Sequence, residues 1–235
     1  MENDQPIEKE QIENKNNGFR NLLFFLLLYI LGSPFLSPYH SLTVFAHLSL
    51  STVMFLTIYT VQKKDRHRSF AIVLLMPILV LYWLGIYDII RFSRMGAYFL
   101  LSIYFGLLVY SYITRIASCH KVTRNVLYAT FCLYLIVGLF WGTLYTLMDG
   151  LLPGSYGGLL LDDPNNHSIH IFNYFSLITL TTVGYGDIFP KTPGAASLCQ
   201  LEAIFGQFFT AVLVAWLVGM YISEKKSRKA ECDRE

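Results

Sequence analysis

Residues Thr181-Thr182-Val183-Gly184-Tyr185-Gly186-Asp187 stand directly after a short apolar stretch, Ile169 to Leu180. Those 12 residues would make a helix about 18 Å long, too short to cross about 30 Å of hydrocarbon. A longer apolar run lies on either side, so the segment occupies a re-entrant position. Non-helical backbone is tolerated at membrane depth only where protein buries it or where it lines a water-filled path. Gly184 and Gly186, two positions apart, open backbone angles closed to other residues. Successive carbonyl oxygens are then free to point to one side.

Outward from this segment the chain stays apolar. Of 235 residues, 54% are hydrophobic, 16% aromatic and only 14% charged, against roughly 25% charged in an ordinary soluble domain. Apolar runs fall at about 21–36, 42–61, 70–90, 95–113, 126–148 and 203–222, most near the roughly 20 residues that span a bilayer. The expected fold is an all-α membrane protein of six transmembrane helices, with a re-entrant helix and loop between helices 5 and 6. The first run is the least regular, because Pro34 and Pro38 interrupt it.

Basic residues are retained on the cytoplasmic side of spans. With six spans and both termini inside, fifteen of the eighteen Lys and Arg fall inside, and only Arg91, Arg94 and Lys191 outside. The segment before the first run carries Glu2, Asp4, Glu8, Glu10 and Glu13, unlike a secretory signal. That run is therefore expected to stay in the mature protein. Cys119, Cys132, Cys199 and Cys232 show no zinc-type spacing and read as unlinked thiols. A net charge of +2 does not supply the basic face a nucleic acid requires. The spans hold no H-E-x-x-H and no Ser/His pair, so an intramembrane enzyme is not expected. Only one half of the chain is interrupted, whereas a transporter would show two related broken halves.

The 181–187 segment resembles the selectivity filter of potassium channels, whose T-V-G-Y-G string it matches residue for residue. The resemblance implies a homotetramer in which Thr182, Val183, Gly184 and Tyr185 bind K⁺ through carbonyl oxygens, Thr182 also through its hydroxyl. Gly186 and Asp187 would shape the outer mouth. It covers 126–222 closely, as a pore domain, and 19–125 only in architecture, as a four-helix peripheral domain. Residues 1–18 and 223–235 would be cytoplasmic tails. No cofactor is implied beyond the permeant ion. Thr181, Asp187, Tyr174 and Phe175 would support the filter. Many family members carry a Trp pair where this chain has Tyr174 and Phe175. The Tyr174 hydroxyl can bond Asp187, but Phe175 cannot donate to Tyr185, which implies a less rigid filter able to close slowly.

The short helix is expected to start at Asp163-Pro164 or at Ser168 and to end near Thr181. Its C-terminal carbonyls would then face the pore axis, where the helix dipole favours a cation. Gly206 lies 19 residues beyond Asp187, the spacing of the family's hinge glycine, and reads equally as a site of close helix packing; Gly219 is a weaker candidate. Glu202 and Gln207 read as groups that bond a neighbouring helix. Residues 95–113 hold no charge, while a steep voltage sensor needs three or four arginines per subunit. Arg91 and Arg94 read as interfacial anchors, which leaves at most weak voltage dependence.

His167 and His170 read as solvated histidines of the outer mouth, and His47 as a bonded residue inside its span. Asp149, Asp162 and Asp163 would draw cations to the mouth. Tyr29, Trp141, Tyr145 and Tyr221 are expected among the interfacial aromatic anchors. Lys225, Lys226, Arg228 and Lys229 set topology and offer a contact for anionic lipid. The 13 residues after Ile222 are too few for a nucleotide-binding or calcium-binding domain, so gating by such a domain is not expected. The functional expectation is passive K⁺ conduction in a bilayer, suited to a bacterial inner membrane. A modulatory or poorly conducting subunit that needs a partner chain is the alternative.

Overall fold

The computed structural model describes residues 5–36, 40–61, 73, 75–81, 83–84, 91–119, 123–161 and 169–232. Helices α1 (Gln5–Leu36), α2 (His40–Val61), α3 (Arg91–Ala117) and α4 (Arg124–Leu151) precede a short strand, β1 (Tyr156–Gly157), and a 3-10 turn at Leu159–Leu161. Then follow α5 (Ile169–Leu180), β2 (Phe189–Pro190) and α6 (Pro193–Cys232). Residues 75–81, from the third apolar run, are helical. Among the described residues four helical stretches are long and apolar enough to cross a membrane: Gly18–Phe35, Met95–Ala117, Arg124–Leu151 and Pro193–Ile222. Among the residues of α2 whose side chains are described, Leu48–Ile58 form an apolar helical stretch.

Three element boundaries differ from the sequence expectation. Helix α1 runs through Pro34, which stands two residues from its end, so the bond its missing N–H removes belongs to the last turn. Helix α3 begins at Arg91 and includes Arg91 and Arg94 in its first turn instead of leaving them outside. Helix α6 starts ten residues before the apolar run, at Pro193. There Thr192 accepts the Ala195 N–H at 3.3 Å, and proline at the first helical position needs no hydrogen bond. Thr123 caps α4 in the same way, accepting from Val126.

Helix α3 lays a stripe of Ala97, Leu101, Tyr104, Phe105, Leu108, Tyr112 and Ile116 into the core, the spacing of one helix face. It packs along α4, and α1 packs on α2, α4 and α5. Tyr104 donates to the Met54 carbonyl at 2.6 Å and lies 2.8 Å from the Thr57 hydroxyl, which ties α3 to α2 inside an apolar layer. Arg115 places its guanidinium 4.7 Å from the centre of the Phe19 ring, joining α3 to α1. Apolar side chains also point outward, among them Leu31, Phe35, Phe99 and Phe131, each more than half exposed. Such a surface suits lipid and not water.

Helix α6 is the exception to this packing. Only 6% of its apolar window is buried, against 61% for α4. It meets α5, β2 and a short stretch of α4 and leaves Leu201, Ile204, Phe208, Val212 and Val214 exposed.

Candidate functional site

The 181–187 segment grows out of the C-terminus of α5. The Val183 N–H donates to the Ile178 carbonyl at 2.9 Å and the Thr182 N–H to the Thr179 carbonyl at 3.0 Å, the bond pair of a Schellman motif. Gly184 N–H also reaches Ile178 O at 3.1 Å. These bonds occupy carbonyls that a helix end leaves open. The left-handed position of the motif usually takes glycine, but here Thr182 holds it, with φ +62°. For a β-branched residue that angle is a strained outlier.

Positive φ recurs at every second residue: Thr182, Gly184 at +52° and Gly186 at +80°, with Val183 and Tyr185 between them outside that region. Alternation of this kind turns successive peptide planes alike, gathering N–H groups along one side and carbonyls along the other. All of Thr181 to Gly186 is exposed, Tyr185 by 73%. An isolated chain thus leaves Val183, Tyr185 and the other residues from Thr181 to Gly186 uncovered.

Around this ribbon the flanking residues are held firmly. Tyr174 donates to Asp187 at 2.5 Å, and Thr181 donates back to Leu177 O at 2.7 Å. Phe175 is buried beside Tyr145 and Tyr156, ring centres 5.1 and 6.0 Å away. Tyr156 also meets Phe172 at 5.3 Å. Burial holds the Tyr156 phenol above its ordinary range, so it stays protonated.

Strand β1 pairs antiparallel with β2, Tyr156 opposite Pro190 and Gly157 opposite Phe189, and Lys191 N–H donates to Ser155 O at 2.8 Å. The loop after α4 therefore clasps the exit of the 181–187 segment. Gly158 makes that clasp possible, since a β-carbon there would sit 1.9 Å from the Asp187 carbonyl oxygen.

Gly206 is buried against the end of α5, where a β-carbon would lie 2.8 Å from Leu180 Cδ1 and 3.0 Å from its carbonyl oxygen. The two readings of this glycine differ in sign. If the close approach matters, Gly206→Ala overfills the contact and lowers stability by about 1–3 kcal/mol. A glycine serving only as a bend would gain about 1 kcal/mol from Ala. Thermal unfolding of the purified variant separates them, and we expect the loss.

Several polar residues sit elsewhere than expected. Asp149 lies within α4 and is buried, so it does not act as a solvated charge of the mouth. His170 is buried in the first turn of α5 with its ring 6.1 Å from that of Tyr29, so it is not a solvated histidine. Tyr29 and Tyr145 are core residues, not interfacial anchors; Tyr29 accepts the Asn173 side-chain N–H at 3.2 Å. Asp162, Asp163, Pro164, His167 and Ser168 lie outside the described residues, as do the side chains of His47, Arg91, Arg94, Lys225, Lys226, Arg228 and Lys229. Among the described residues no group of three His, Cys, Asp or Glu could hold a metal ion.

One cluster was not assembled from sequence. Glu202 on α6 is fully buried and meets the Tyr145 hydroxyl of α4 and, at 2.5 Å, the Ser176 hydroxyl of α5. Ser176 also lies 2.7 Å from Gly138 O. The available signal was a lone carboxyl inside an apolar helix, which marks a functional position by default. Glu202 stands one residue before the apolar run at 203–222; the earlier start of α6 sets it inside the helix, where it bonds two neighbouring helices as expected.

Residues 129–223 match a family described as ion channel, a stretch running from α4 through the 181–187 segment to the end of the apolar part of α6. Neither the curated proteins nor the solved structures gave a match. Residues 129–223 are thus similar to an ion channel domain, in a mainly helical chain whose long apolar helices point to a membrane protein.

Proposed function

We propose that four copies of this chain form a K⁺-selective channel, with Thr182, Val183, Gly184, Tyr185 and Gly186 of each copy lining one axis. The observation that carries this reading is the alternating backbone of the 181–187 ribbon, mounted on the C-terminus of a helix too short to span. Four such ribbons would present stacked rings of oxygens that replace the hydration shell of K⁺. Thr181, Asp187, Tyr174 and Phe175 support the ribbon. The exposed face of α6 and the exposed ribbon support assembly, because the same surfaces face inward when four copies surround a pore.

In this reading the chain spans the membrane six times with both termini cytoplasmic, in a bacterial inner membrane. Residues 19–125 form the peripheral domain, 126–222 the pore domain, and 1–18 and 223–235 the tails. Gly206, packed on Leu180, would serve both as that contact and as the point where α6 bends, and Lys225, Lys226, Arg228 and Lys229 meet anionic lipid. Arg91 and Arg94, the two basic residues in the first turn of α3, give at most weak voltage dependence.

Purified chain in vesicles loaded with K⁺ is expected to pass K⁺ without any other protein, to be blocked by Ba²⁺ and to exclude Na⁺. Chemical cross-linking should stop at four chains. Equal K⁺ and Na⁺ flux, or a different number of chains, would overturn the proposal. Flux that appears only after a second membrane protein is added would instead identify a modulatory subunit.

A further inference from the structure

Three oxygen–oxygen contacts meet at the buried Glu202 cluster: Gly138 O with Ser176 Oγ, Ser176 Oγ with Glu202 Oε1, and Glu202 Oε2 with the Tyr145 hydroxyl. Oxygens at these separations need a proton between them. The Gly138 carbonyl has none to give. Ser176 has one, which goes to Gly138 or to Glu202 but not to both, and the Tyr145 proton serves Oε2. Two hydroxyl protons do not fill three contacts.

We infer that Glu202 carries the third proton, and that as a neutral carboxylic acid it is a positioning residue for α5 and the ribbon mounted on it. The proton order is then complete: Tyr145 donates to Oε2, Oε1–H donates to Ser176 Oγ, and Ser176 donates to Gly138 O. Among the described residues the titratable groups facing Glu202 are Tyr134 and Tyr145 on α4, Cys199 one turn back on α6, and Tyr156 on β1; α5 contributes Ser176. No cation stands among them. An ionised carboxylate in this apolar surrounding would lack a countercharge.

The position gives the proton a task. Ser176 lies two and three residues before Ile178 and Thr179, whose carbonyls hold Thr182, Val183 and Gly184. When Glu202 loses its proton at high pH, Oε1 becomes an acceptor only, and Ser176 turns its proton away from Gly138. The tie between α4 and α5 is then lost behind the ribbon.

Infrared spectra of the purified chain in vesicles test the protonation directly. At neutral pH we expect a carboxylic-acid C=O band in the wild type that is missing from Glu202→Gln and that fades as the pH is raised. Identical spectra overturn the inference. The positioning role rests on the channel proposed above and is read by flux. Gln donates to Ser176 and accepts from Tyr145, so Glu202→Gln should conduct like the wild type at neutral pH and stay flat at high pH.

Wild-type flux should fall about tenfold on the alkaline side, equivalent to about 1.4 kcal/mol, and Glu202→Ala should be low throughout. An unchanged alkaline fall in Glu202→Gln overturns the positioning role. Absence of flux from every variant counts against the channel itself and leaves the infrared band to decide the proton.

Discussion

Vesicles carrying Gly186→Ala chains are expected to lose K⁺ flux to background, while cross-linking still yields four chains. Gly186 sits at φ +80° with no heavy atom within 4 Å of where a β-carbon would stand. The substitution therefore meets no clash within the chain, and its effect is one of backbone conformation alone. A left-handed angle costs an L-residue roughly 1–2 kcal/mol; in the proposed tetramer four copies would share one axis, so the penalty would be about 4–8 kcal/mol for the ring. The cheaper course is to rotate the peptide, which turns a carbonyl away from the axis. Since the rest of the fold does not depend on that rotation, assembly should persist. Normal flux from Gly186→Ala would mean that the ribbon does not line the conducting path.

Gly158→Ala should act on the same ribbon from behind. Its β-carbon would stand 1.9 Å from Asp187 O and 2.9 Å from Ile188 Cα, at φ +140°. Both neighbours are backbone, so no side chain can swing aside. Either β1 separates from β2, or the Asp187 carbonyl moves and disturbs the bond from Tyr174. Overpacking of this kind costs about 1–3 kcal/mol, and the left-handed angle adds to it. We expect Na⁺ flux to rise relative to K⁺ flux, because the exit of the ribbon loses its clasp. A variant with wild-type selectivity and thermal stability would show that the loop after α4 is not coupled to the ribbon.

The membrane class was legible because it depends on composition, and composition is additive along the chain. Spans one and six show where reading by runs of apolar residues falls short. Pro34 looked like a stop, but a proline in the last turn removes little. The Thr192-Pro193 start of α6 is not marked by hydrophobicity, because capping is a local signal that here stands nearly three turns ahead of the apolar run. Shifting that start changed the meaning of Glu202, from a residue near the end of a span to one buried inside it.

The ribbon itself was found from residue types and order alone. Gly184 and Gly186 announce positive φ by lacking a β-carbon. Thr182 gives no such notice, and its φ of +62° is imposed by the Schellman bonds at the end of α5. The clasp by Gly158 depends on a loop returning to a strand about thirty residues later in the chain. That distance carries no periodicity to read.

By itself, then, the order of residues determined a mainly helical, apolar chain with one glycine-spaced ribbon after a short helix, because hydrophobic length and glycine spacing are local properties. Which polar groups meet, which tyrosines are core and which glycines are contacts were settled only by tertiary structure. Burial and hydrogen bonding depend on what several helices bring to one place, and no single stretch of sequence contains that information.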